Sequence, residues 1–377
     1  MMGETKYAVG FSVFPGIGPV RFKLLREYFG SAKKAWNAPM SEFKKIRLGE
    51  KLAGEFDHFR NTFDLDDYLG QLEKLHVAVL TLSDPKYPKL LKQLSDAPFL
   101  IYVRGKRGKE PLNLDRTIAV VGTRKVTTYG TQVTQKITAE LVSCGFTIVS
   151  GLAYGVDAIA HQTALGSGGQ TIAVLGCGID IIAPPSNARL YRDICEGGRG
   201  AIVSEMPLGM RPNKGLFPAR NRIISGLSLG VVVTEGAEDS GALITARNAA
   251  EQGREVFAVP GPITSPYSKG PAKLFKQGAK LVESAQDIIE ELKLDVRRGR
   301  GRLAGDPTTR LPARQVGRAE TKEEEKILHI LEDRQAHIDE IVRATNLTMS
   351  AVAATLSVLE IRGIVKDIGE KVYGLVL

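Results

Sequence analysis

TIAVVGTRKVTTYG, residues 117–130, joins an uninterrupted apolar run to a corner built on Gly122, Thr123 and Arg124 and then to the start of a helical pattern. A strand with one wet face alternates polar and apolar residues. This run does not, so it predicts a strand covered on both faces. The same order of run, glycine corner and helix recurs downstream. Further apolar runs begin at Thr147 (TIVSG), Thr171 (TIAVLG), Ala201 (AIVSE), Gly230 (GVVVTEG) and Glu255 (EVFAVPG). Helical stretches separate them over residues 130–142, 155–165, 188–195, 218–227 and 242–252. Strand and helix alternating in this way predict an α/β fold, a doubly wound Rossmann-like parallel sheet over residues 75–292, with ligands held beyond the C-terminal strand ends.

Four corners carry chemistry on that frame. Arg124 leaves the sheet beside a glycine and hydroxyl residues, a layout suited to a phosphate, although an arginine there also serves structural purposes. In SGLAYGVDAIAH, residues 150–161, Gly151 and Gly155 permit close backbone approach and Ser150 can donate to an anion. Asp157 and His161 stand four apart on one helix face: an acid and base pair, or a capping carboxylate and a packed histidine. TEGAEDSGA, residues 234–242, offers Glu235, Ser240 and Gly241 as a nucleotide or phosphate loop. In FPARNRIISGLS, residues 217–228, Pro218 suits the first helical position and puts Arg220 and Arg222 in the first turn. Cations there oppose the helix dipole unless an anion sits among them, and Phe217 beside them offers a face for a nucleic-acid base. The competing reading, arginines satisfied by Glu205 or Glu235 with Phe217 in a core, stays open.

The flanks read differently. Residues 1–72 are helical in pattern, with VFPGIGP ahead of the apolar positions Val20, Leu24, Leu25 and Phe29, and suggest a small module of the SAM or helix-hairpin-helix kind with Trp36 in its core. Residues 293–320 are interrupted by Gly299, Gly301, Gly305, Pro307 and Pro312 and read as a basic flexible linker. Up to residue 319 that linker carries eight Lys or Arg against Asp295 and Asp306, most of the chain's net charge of +9. Residues 321–377 pattern as three helices and a hairpin, a winged-helix-like module holding seven Lys or Arg against ten Asp or Glu. Its last helical stretch, residues 350–361, is built mainly of Ala, Val, Leu and Ser with one Glu, a composition for protein contact or structure rather than base readout.

At 377 residues, 43% hydrophobic and 25% charged, the chain can bury a full core in two or three domains. No apolar stretch is long enough for a bilayer and the N-terminus lacks a signal-peptide pattern, so a cytoplasmic location without membrane attachment is expected. Cys144, Cys177 and Cys195 are widely spaced and read as buried free thiols, not metal ligands or disulfides. There is no GxxxxGK[ST], no clean GxGxxG, no HExxH, no CxxC and no GxSxG. No catalytic residues, metal or cofactor are therefore expected, while the 234–242 loop leaves a nucleotide-processing hydrolase as the alternative.

GTRKVTTYG, SGLAYGVDAIAH, LGCGIDIIAPPSN, SEMP, FPARNRIISGLS, VVVTEGAEDSGALITARNAAEQGREVFAVPG and KQGA occur in the order found in the DNA-processing protein A family, DprA or Smf, which the chain resembles over roughly residues 75–291. The resemblance implies a protein of natural transformation that binds and protects incoming single-stranded DNA, helps load the RecA recombinase, dimerises through its Rossmann-like domain and has no established enzymatic activity. It implies DNA contact at Arg124, Lys214 and Phe217, with Gly122, Thr123, Ser150, Gly151, Arg220, Asn221 and Arg222 in the same motifs. One of the two arginines in FPARNR would then meet phosphate while the other holds the loop. Ala183 stands where the family often has tyrosine, and Pro271 and Ala272 replace the usual Thr and Asn.

Overall fold

The six apolar runs pair in the computed structural model, which describes residues 3–46, 48–105, 114–294, 321–333, 335–361, 364–369 and 371–375. The chain divides into two compact units, Met1–Arg300 and Gly301–Leu377. In the first, a nine-stranded sheet has the order β1-β2-β6-β5-β4-β3-β7-β8-β9. Its strands are β1 (Val77–Thr81), β2 (Leu100–Arg104), β3 (Thr117–Val121), β4 (Thr147–Ser150), β5 (Gln170–Leu175), β6 (Gly200–Ser204), β7 (Gly230–Val233), β8 (Glu255–Ala258) and β9 (Lys280–Leu281). From β6 to β9 every pairing is parallel, and β1 and β2 add an antiparallel edge. All residues of β3, β4, β6 and β7 are buried, as strands covered on both faces require.

Helices cover the two faces: α8 (Thr128–Ser143), α9 (Val156–Gly166), α10 (Ala188–Glu196), α11 (Leu216–Gly226), α12 (Gly241–Glu251), α13 (Lys269–Lys276) and α14 (Ala285–Glu291), with the short α7 (Lys89–Lys92) between β1 and β2. The chain runs β3, β4, β5, β6 toward one edge and then crosses back to place β7 on the other side of β3. The loops after β3 and β7 therefore diverge around a crevice at the switch point, where an open parallel sheet receives its ligand.

Six helices precede the sheet: α1 (Gly3–Val13), α2 (Pro19–Phe29), α3 (Ala32–Trp36), α4 (Met40–Lys45), α5 (Glu50–Thr62) and α6 (Leu65–Lys74). Trp36 is buried and meets Phe11 and Phe56 edge-on at 5.3 Å each. That aromatic core is continuous with the sheet unit. Phe22 of α2 stacks on Phe99 at 4.0 Å, and Ser12 shares a hydrogen bond with Tyr102 of β2. β1 and β2 were not read from the sequence. They sit at the edge that these helices cover, so their residues answer to different neighbours on each face and show no single period.

In the second unit α15 (Lys322–Asp333), α16 (Ile338–Thr345) and α17 (Met349–Ile361) pack beside a small sheet of β10 (Ala336–His337), β12 (Val372–Leu375) and β11 (Val365–Gly369), in that order, the winged-helix arrangement. α17 contains no Lys or Arg. The arginines of the basic linker, Arg297 to Arg318, lie outside the described residues. Cys177 and Cys195 are buried, Cys144 is half-buried, and all three are free. Among the described residues no single helix is long and apolar enough to cross a membrane.

Candidate nucleic-acid interface

A cavity of about 530 Å3 opens at the switch point. The corner after β3 contributes Gly122, Thr123 and Arg124; α11 and the residue before its cap contribute Lys214, Phe217, Arg220 and Asn221; the start of α12 contributes Ser240 and Gly241. Two other cavities are of similar size and different chemistry. One of about 690 Å3 beside α12 and α13 mixes both charge signs, with Lys273 3.9 Å from Glu238, and one of about 410 Å3 beside β1, β2 and β6 is mainly apolar.

Arg124 and Lys214 are both exposed. Among the described residues neither has an ion-pair or hydrogen-bond partner. The Arg124 guanidinium instead lies 5.4 Å from the centroid of the Phe217 ring, a cation over an aromatic face. Phe217 is half-buried, with its edge against Gly176 at the end of β5, where an added Cβ would come within 3.3 Å of the ring. The ring is held in place and still reachable from the cavity.

The helix carrying Phe217 begins earlier than the proline suggested. Leu216 is its first residue, so Pro218 is the third and both arginines fall in the second turn, where the end of the dipole no longer acts on them. Their partners separate them. Arg222 places one nitrogen 2.8 and 2.7 Å from the two Glu205 oxygens and its Nε 3.3 Å from Asp96, and it does not line the cavity. The carboxylate reading, left open from the sequence, describes Arg222. Arg220 is only 6% exposed and donates through Nη1 to the carbonyls of Gly151 and Val174 and through Nε to Asn221. Burial pulls its pKa down, and Asp157 partly offsets this.

Three further expectations change. Ser150 is fully buried and its hydroxyl donates to the Val120 carbonyl at 2.7 Å, which leaves it nothing to offer an anion. Gly151 is a glycine because Arg220 occupies the space: an added Cβ would lie 2.3 Å from Nη1. Glu235 is buried and accepts from the Thr127 N–H at 3.0 Å and hydroxyl at 2.7 Å, so it fastens the start of α8 and is not among the residues lining the cavity. Gly155 has φ +72 and an added Cβ would meet the Thr123 carbonyl at 2.3 Å, which fixes how the second corner packs on the first.

Asp157 and His161 do not form an acid and base pair. Asp157 accepts from the N–H groups of Gly151 (3.1 Å) and Ala153 (3.4 Å), and burial raises its pKa while Arg220 opposes the rise. His161 is fully buried 2.7 Å from the Thr171 hydroxyl, and burial, aided by the charge of Arg220, holds its pKa at about 3 against the usual 6.5. Between those values the unfolded chain binds one more proton than the folded one, so stability must rise with pH through this window. We expect the wild type to lose about 1.4 kcal/mol per pH unit below pH 6.5 relative to His161→Gln, as read from urea unfolding at pH 7 and pH 5. Equal pH dependence in both proteins refutes the assignment.

Asp157, read from the sequence as an acid or a cap, is part of the cavity lining. One neighbour escaped the sequence reading: Tyr154, 49% exposed, follows the lining residue Ala153 on the same corner. Its signal was position at a strand's C-terminal end, which SGLAYGVD already displayed. Among the described residues no group of three His, Cys, Asp or Glu is placed to hold a metal ion.

Comparison with known proteins places the chain in a family. Residues 78–293 match the family described as DNA recombination-mediator protein A, and residues 311–368 match the DprA winged helix domain. Protein Smf of Synechocystis sp. is 36% identical over 387 aligned residues, covering 97% of each chain. The solved structure of DNA processing protein A from Streptococcus pneumoniae is similar with a TM-score of 0.66 at 35% identity, over 76% of this chain and 97% of that one. DNA processing protein A from Helicobacter pylori, whose structure concerns its single-stranded DNA binding mode, gives a TM-score of 0.50 at 32% identity, over 58% of this chain and 96% of that one. With its mostly parallel sheet, its winged-helix unit and end-to-end similarity to an Smf protein, the chain belongs to the DNA recombination-mediator protein A family, the DNA-processing proteins DprA and Smf.

Proposed function

We propose that this protein binds single-stranded DNA along the C-terminal edge of its parallel sheet and does not catalyse a reaction on it. One observation carries the reading: two exposed cations, Arg124 and Lys214, have no acidic partner among the described residues and flank a half-buried aromatic ring at the mouth of the switch-point cavity. Cations neutralise the backbone while a ring stacks a base, and every base has a face to stack, so sequence preference is weak. The single-stranded DNA binding mode of the Helicobacter pylori relative supports the same ligand. The burial of Asp157, His161 and Glu235 in structural hydrogen bonds speaks against the hydrolase alternative.

The finer roles belong to the proposal too. The protein protects incoming strands during natural transformation in the cytoplasm, helps load RecA, and forms a homodimer through the α/β domain. Its winged-helix module, with no cation on α17, serves a protein partner. Filter binding of oligothymidine at rising salt tests the DNA reading. Two neutralised phosphates predict a log-log slope of about −1.4 or steeper, since each phosphate on a single strand contributes roughly −0.7. No binding at low salt, or a preference for duplex, overturns it.

A further inference from the structure

The floor of the cavity holds a charge that the rim does not need. Arg220 is buried, and its Nη2 is the one guanidinium nitrogen with no hydrogen bond. It forms no ion pair within 4.0 Å among the described residues, and the nearby Asp157 spends an oxygen on two backbone N–H groups. A buried cation is costly unless it is paired, and two carbonyls, the Asn221 oxygen and the charge of nearby Asp157 meet that need only in part. The N-terminal end of the eleven-residue α12 reaches the same cavity through Gly241 and Ala242. Gly241 is its first residue, so its N–H lacks an intrahelical acceptor, and that end of the helix favours an anion. A buried guanidinium with one nitrogen left over and a helix start thus converge below Arg124 and Lys214.

A continuous strand makes poor use of that depth. Each internal phosphate is esterified on both sides, carries one negative charge, and must have its chain enter and leave. A phosphate monoester has one tether, three unesterified oxygens and close to two negative charges at neutral pH. It can enter end-on, with its oxygens toward Arg220 and α12 and its nucleoside beside Phe217. We propose that the cavity floor seats a terminal phosphate monoester, so that the protein grips the phosphorylated end of a single strand as well as its length. This rests on the DNA-binding reading above.

The test is fluorescence anisotropy on the full chain with a circular single strand and with short oligothymidines ending in 5′-phosphate, 3′-phosphate or hydroxyls only. The expected result is about tenfold or tighter binding of one phosphorylated oligonucleotide over the hydroxyl-ended one, the effect of one charge-assisted contact. In Arg220→Gln the ratio should fall to one, and Arg220→Lys should restore part of it. Thymidine 5′-monophosphate or 3′-monophosphate should compete where thymidine does not, which needs no variant to fold. If the wild type binds all linear ends equally while holding the circular strand, the terminal-phosphate seat is wrong and the DNA-binding reading stands. If no strand is bound, the DNA-binding reading itself fails. A ratio that persists in folded Arg220→Gln removes Arg220 from the seat.

Discussion

Replacing Phe217 with alanine is expected to weaken oligothymidine binding by roughly 5- to 150-fold, the effect of losing about 1 to 3 kcal/mol of base stacking. The fold should survive, because the ring is half-buried and its position is set by a helix and by Gly176 rather than by a closed core. Arg124→Ala should weaken binding comparably by another route. It removes a phosphate contact, so it should also make the salt slope shallower by roughly 0.7, which Phe217→Ala should not do. The two losses should not add, because the Arg124 guanidinium lies over the Phe217 ring and each substitution disturbs the other side chain. Filter binding of the two single variants and the double variant at several salt concentrations separates these effects. Unchanged affinity in both single variants, with thermal melts showing them folded, would remove the interface from this edge of the sheet.

Breaking the Arg222 and Glu205 pair is expected to produce the opposite pattern, a large loss of stability with little loss of affinity in the protein that remains folded. Their side chains are 16% and 13% exposed, and one nitrogen of Arg222 meets both oxygens of Glu205. Glu205→Ala leaves a nearly buried guanidinium with Asp96 alone, itself half exposed at 51%. Losing one member of a buried pair costs about 3 to 5 kcal/mol, and the remaining exposure and Asp96 favour the lower figure, a fall in Tm on the order of 5 to 10 °C. Urea unfolding reads the stability, and filter binding well below the transition reads the affinity. A tenfold loss of affinity at wild-type stability would return Arg222 to the interface.

Those two arginines, separated by Asn221 alone, mark how far the chain can be read without its fold. The runs at Thr117, Thr147, Thr171, Ala201, Gly230 and Glu255 announce their strands because burial on both faces of a sheet is written into each run by itself. The order of run, corner and helix then dictates a parallel sheet and puts the ligand at its C-terminal edge, so Arg124 and Phe217 were legible as neighbours of a cavity, while Lys214 came only with the family resemblance. The partners of Arg220 and Arg222 were not. Gly151 and Val174 lie 69 and 46 residues from Arg220 in the chain, and Glu205 lies 17 from Arg222.

By itself, then, the amino-acid order determined the six strands β3 to β8, the helices between them to within a turn and the edge at which they gather their loops, because periodicity and turn chemistry act over a few residues. Only the tertiary structure decided which polar groups are spent inside. Ser150 is committed to Val120, Glu235 to Thr127 and Arg222 to Glu205, whereas Arg124 and Lys214 have no such partner among the described residues. Whether a charge is neutralised is settled by distances of a few ångströms between strands and loops far apart in the chain, and those distances exist only once the sheet has closed its order around β3.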